Sequence, residues 1–189
     1  MRYGNMRREI AAAWCSAFLC AAVLGFAASS SLAIAQQKPA KERQALSSVK
    51  ELMESIIDPS ADALWGAVGT VVDKQGIHES FPKTQEEWLD VRRAAVRIIE
   101  GCTLLLMPGR EAAPAGTKSE TPGVELQPVQ MTALIKKNRK SFDAYARALQ
   151  ALGSEALRAA DSKNTVLLMD VGARMEEVCE SCHKTFWYP

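Results

Sequence analysis

Four runs of apolar residues repeat at intervals of three and four along this chain, a spacing that suits a helix burying one face. The first run is Leu46, Val49, Met53, Ile56, Leu64, Val68 and Val71; the second is Trp88, Val91, Ala95, Ile98, Cys102 and Leu105. Met131, Leu134, Asn138, Phe142, Tyr145, Leu149 and Leu152 make the third, and Leu168, Val171, Met175, Val178 and Cys182 the fourth. The runs predict helices over 42–73, 85–107 and 129–159, with a last helix capped by Asp161 and Ser162. Thr84 followed three residues later by Glu87 is a capping box for the second. Asp58-Pro59 interrupts the first as a kink or a restart, since proline fits the first turn of a helix and aspartate the cap before it. No alternating pattern marks a strand, no glycine motif marks a phosphate site, and 76–83 reads as a connector.

Pro108, Pro114, Pro122 and Pro128, interleaved with Gly109, Gly116 and Gly123, make 108–128 a long irregular loop, read as mobile. The other links are short, so consecutive helices are expected to run antiparallel. The expected fold is all-α, a four-helix up-down-up-down bundle over residues 43–189.

The last helix runs into CESCH, Cys179 to His183. Two cysteines three apart with histidine directly after is the spacing of covalent haem attachment: the thiols form thioethers to two vinyl groups and the imidazole becomes an axial iron ligand. Positions i and i+3 share a helix face, so both sulfurs reach one porphyrin edge while His183 turns in beneath the iron. Half a zinc site is the competing chemistry. Structural zinc takes four protein ligands, however, and beyond residue 35 the chain offers only Cys102 and His78 besides. One covalent haem c is the expected cofactor, entering the core because Cys182 continues the buried stripe.

Arg2, Arg7 and Arg8, an apolar run from Ile10 to Leu24 and a small-residue end at Ala33-Ile34-Ala35 predict a secretory signal peptide over 1–35, cleaved before Gln36. The alternative is an uncleaved anchor, as Ile10 to Ala35 is long enough to span a bilayer. Leu19 before Cys20 argues against a lipoprotein anchor. Export agrees with haem attachment, which takes place outside the cytoplasm, and predicts a periplasmic protein free of the membrane once processed, with a flexible mature N-terminus at 36–42. The processed chain carries 20 basic and 21 acidic residues. That balance argues against a nucleic-acid partner and supplies no pull toward an acidic membrane. CESCH uses two of the three remaining cysteines, so Cys102 is odd and no disulfide framework is expected.

An exported four-helix chain with CxxCH on its last helix resembles the class II c-type cytochromes, cytochrome c-prime and its low-spin methionine-ligated relatives; class I members carry the motif near the N-terminus. Phe186 matches an aromatic that follows the ligand histidine in that family. DPSADALWGAVG and LLLMPGR are similar to stretches of exported cytochrome-like proteins. The Pro59 break, the 108–128 loop and Trp187, where the family commonly has Arg or Lys, depart from the pattern. The resemblance implies one-electron transfer with unidentified redox proteins, no enzymatic turnover, and is compatible with a homodimer, although no helix face is marked for one.

The sixth iron ligand separates two functions. In the expected bundle the end of the last helix lies beside the early turns of the first, which brings Met53 level with His183. The resemblance points to the same region, where family members carry methionine or an apolar residue. His/Met ligation raises the reduction potential and suits an electron carrier. Met107 and Met131 are rivals at the same end. If Leu52 or Ile56 instead walls off an empty site, the haem is five-coordinate and binds nitric oxide or carbon monoxide. Met175 and Phe186 are expected to pack on the porphyrin, and Trp65 and Trp88 to be core or pocket aromatics. The tail Phe186-Trp187-Tyr188 is expected to shield the haem edge or join an interface. Cys102 is expected in the core, and His78 on the surface.

Overall fold

The structure is a computed structural model describing residues 45–189, about two thirds of them helical with one small two-stranded sheet, compatible with an all-α fold. The expected signal peptide at 1–35 and flexible segment at 36–42 lie outside the described residues. Among the described residues no helix is long and apolar enough to cross a membrane.

The first helical rod starts later than its apolar spacing implied. Ser48 caps α1 (Val49–Leu52) in a reciprocal box with Glu51, and Leu46, ahead of the cap, is 97% exposed. A π-helical turn, Met53–Ile57, follows and runs directly into α2 (Asp58–Ala67). The rod does not restart at Pro59; the irregularity is the π turn just before it. Asp58 N–H reaches five residues back to the Met53 carbonyl, and Pro59, which has no N–H to give, enters the first turn of α2 without breaking the rod. The Ser60 hydroxyl donates to the Ile56 carbonyl at 2.6 Å. The extra residue in the turn also rotates the buried face. Leu52, Ile57, Ala61 and Leu64 fill the core, while Met53 and Ile56, from the predicted stripe, are only half-buried.

The rod also ends early. Val68 is extended, and β1 (Gly69–Asp73) pairs antiparallel with β2 (Gly76–Ser80), Val72 opposite Ile77 and Val71 opposite His78. Val68 and Val71 kept a helical interval by coincidence; the Val71-Val72 pair favours extended backbone, and Gly76 at φ 127° permits the turn. Asp73 Oδ1 accepts from the Gln75 N–H at 2.8 Å within it.

The Thr84–Glu87 box opens α3 (Gln85–Leu105), whose six stripe residues, Trp88 to Leu105, are all buried. The third predicted helix is two, α4 (Pro128–Lys137) and α5 (Arg139–Ser162), separated at Asn138, which leaves helical geometry at φ −114°, ψ 39°. The break lets the Arg139 guanidinium donate to the Leu106 carbonyl at 2.7 Å, completing the end of α3. Asp161 and Ser162 do not cap the last helix. Asp161 pairs with Arg92, Ser162 donates back to the Arg158 carbonyl, Lys163 takes left-handed geometry, and Asn164 caps α6 (Thr165–Phe186).

Neighbouring helices pair early residues with late ones. Arg92 meets Asp161 and Gln150 meets the Ile99 carbonyl between α3 and α5; Glu155 meets Arg174 and Phe142 meets Phe186 between α5 and α6. Arg97 donates to Ser60 between α3 and α2, and the Trp65 indole donates to the Gly172 carbonyl between α2 and α6. A Cβ on Gly153 would lie 2.8 Å from a branch methyl of Ile98, which is wholly buried. Gly153→Ala gains up to about 1 kcal/mol of helix propensity but must move that methyl, and overpacking costs about 1–3 kcal/mol. The expected net effect, read in a urea unfolding curve, is a lower midpoint.

The 108–128 loop, expected to be mobile, is tied at both ends. Glu111 and Ala112 carbonyls accept from the free N–H groups of Val49 and Lys50, each at 2.9 Å. Ala112 N–H donates to Thr132 Oγ1 at 2.8 Å, and the Glu125 carboxylate accepts from Ser119 and from the backbone of Glu120 and Thr121.

Candidate functional site

Cys179, Cys182 and His183 lie in the last two turns of α6, half-buried, on the side that packs toward the core. They line a cleft of about 800 Å³, within the range of cofactor sites. Ile57 of the π turn, Ala61 of α2, Leu105 of α3 and Phe142 and Leu149 of α5 supply its apolar walls. Met53 lines the same cleft. The π turn is the cause: it moves Ile57 into the core and leaves Met53 at the core's edge.

A smaller chamber of about 330 Å³ adjoins on the loop side and shares Met53, Asp58, Phe142, Cys182 and His183 with the cleft. The structure thus gathers Cys179, Cys182, His183 and Met53 around one space. Phe186 lines the loop-side chamber and stacks edge-on against Phe142 at 5.6 Å and Tyr145 at 6.3 Å. Met175 is wholly buried in the core and is not among the residues lining the cleft. Met131 lines the loop-side chamber beside Met53, while Met107 sits against the Arg110 guanidinium. Trp88 is core; Trp65 lines the cleft, lying over α6 at Gly172, where a Cβ would stand 3.3 Å from its ring. His78 is on the exposed hairpin, 3.0 Å from Asp73.

Burial governs the titration of the site. It pushes the Cys182 thiol up to about 12 and the Cys179 thiol up to about 11, so both are neutral thiols at physiological pH. Cys102, wholly buried, is likewise pushed up to about 12, first by burial and then by Cys179. Among the described residues no group of three His, Cys, Asp or Glu side chains could hold a metal ion by itself. Burial also holds His183 below the ordinary imidazole range, against the pull of Asp58 and Glu180, leaving a neutral ring with a lone pair to give. Asp58, at the cleft mouth, is raised by desolvation and lowered by His183.

Asp58, Asp62, Glu176, Glu177 and Glu180 line the cleft with no lysine or arginine among its lining residues. Asp58 and this acidic rim escaped the sequence reading, because carboxylates on a solvated helix face carry no local mark of what lies across from them. Phe142, Tyr145 and Leu149 were visible as stripe residues, but not as walls of a cavity.

Neutral thiols side by side, an imidazole with a free lone pair and a thioether around an apolar cleft could hold a planar, largely apolar cofactor through sulfur and nitrogen. Compared with known proteins, the chain matches no family model, no curated protein and no solved structure.

Proposed function

We propose that this chain is an exported monohaem c-type cytochrome of the class II kind, a four-helix up-down-up-down bundle that carries single electrons between redox proteins in the periplasm. The observation that carries the reading is the convergence of CESCH with Met53 on one apolar cleft of cofactor size. Cys179 and Cys182 would be the thioether anchors: addition of a thiol to a vinyl group places sulfur on one carbon and hydrogen on the other and consumes no oxidant. A bound haem supplies the one-electron couple at its iron. His183 would hold the iron as the proximal ligand, and Met53, which lines the same cleft, as the distal one.

The chain's own residues set the properties of that couple. Thioether ligation and apolar walls favour the reduced state, whereas five carboxylates at the rim favour the oxidised, more positive one.

The test is the intact mass of the protein produced in cells equipped for haem ligation. The processed chain is expected to be heavier than its polypeptide by one haem, and the Cys179→Ser/Cys182→Ser double variant to carry none. A wild-type mass equal to the bare polypeptide would end the cytochrome reading.

A further inference from the structure

The 108–128 loop and the C-terminal tail meet at His183. Past the end of α6, the N–H groups of Trp187 and Tyr188 both donate to the His183 carbonyl, at 2.8 and 3.1 Å. The Trp187 carbonyl in turn accepts from Leu126 N–H of the loop at 2.9 Å, and the Tyr188 hydroxyl donates to Glu180 at 2.7 Å. A chain end held by these contacts does not fray as an unpartnered terminus would. It delivers the Trp187 ring edge-on to the His183 imidazole, with centroids 5.1 Å apart and planes at 84°. The loop in turn is fixed to α1 through Glu111 and Ala112 and to α4 through Thr132.

We infer that Trp187, clasped by Leu126 of the loop, is a positioning residue that fixes the plane of the His183 imidazole about its bond to iron. This rests on the haem reading above and goes beyond it. An axial imidazole is otherwise free to rotate about the metal–nitrogen bond, and ligand orientation is commonly set by a neighbouring group. Asp58 and Glu180 act on His183 through charge, and Tyr188 lies farther off at 6.2 Å and a tilted 61°. The indole is thus the nearest ring with a defined perpendicular plane.

The experiment compares wild type, Trp187→Ala, Trp187→Phe and Leu126→Pro, the last removing the loop's N–H donor, each first checked for attached haem by mass and for folding by thermal melting. In the ferric proteins, proton NMR reads the haem-methyl paramagnetic shifts, whose spread reports the imidazole plane. In the apoproteins, NMR reads the ring-current shift of the His183 ring protons. Trp187→Ala is expected to lose both the methyl spread and the ring-current shift; Trp187→Phe is expected to keep them, and Leu126→Pro to weaken them. A folded, haem-loaded Trp187→Ala protein with unchanged methyl shifts would overturn the inference. Failure of the wild type to take up haem would instead strike the cytochrome reading, and the ring-current comparison would still decide whether Trp187 holds the ring.

Discussion

Met53→Ala is expected to turn a low-spin His/Met haem into one with an open distal position. The ferric protein loses its sulfur-to-iron charge-transfer band, the ferrous protein takes up carbon monoxide rapidly, and the reduction potential falls. Axial ligation spans roughly 0.8 V across haem proteins, so loss of a thioether is expected to cost on the order of 0.1 V or more. A visible spectrum and a redox titration check it. The expectation rests on the π turn, which leaves Met53 half-buried at the cleft while Leu52 and Ile57 fill the core. Met131 is the control, because it reaches the loop-side chamber but not the main cleft. If the band survives Met53→Ala and disappears in Met131→Ala, the distal ligand comes from α4. If the wild type is already high-spin and binds carbon monoxide, Ile57 and Ala61 bound an open distal pocket and the protein is a gas binder of the cytochrome c-prime kind.

Arg110→Met is expected to lower stability by about 2–4 kcal/mol, since three hydrogen bonds from a charged donor are lost and the half-buried Ser47 carbonyl loses its guanidinium partner. The Arg110 guanidinium is buried and donates to the Ser47 carbonyl and hydroxyl and to the Leu104 carbonyl, tying the residues before α1 to the end of α3. Burial lowers its pKa, with Arg139 adding to the effect and the Glu51 charge opposing it, so these acceptors and Glu51 together offset a desolvation cost. For a domain of this size the loss corresponds to roughly 5–15 °C in melting temperature, measurable by circular dichroism. Lys136→Ala, which breaks only an exposed ion pair with Glu111, is expected to change stability by no more than about 1 kcal/mol. Equal melting temperatures for Arg110→Met and wild type would mean that the loop is not held through this residue.

What was legible in the sequence was what repeats locally. The stripes of α3, α5 and α6 depend on one period sustained over several turns, and Trp88, Ile98, Leu149 and Val171 are buried as that period requires. The Thr84–Glu87 box was readable because both partners lie within one turn. The placement of CESCH on the last helix was readable because the fourth stripe runs into it without a break. The hairpin was missed because Val68 and Val71 stand at a helical interval by coincidence, while the exposed strand that follows Val68 carries no alternating pattern. Asn138 looked like a stripe residue, and only the need of α3's last carbonyls for Arg139 accounts for the break there.

By itself, then, the sequence determined the helical class and three of the four buried faces, since each is written in intervals shorter than one helix. Tertiary structure decided the rest. An extra residue per turn at Met53–Ile57 rotated the first rod and left Met53 at the cleft, and hydrogen bonds between segments more than sixty residues apart pinned the loop and brought Trp187 onto His183. Such contacts join groups distant along the chain, and the free energy that selects them comes from burial that no local pattern records.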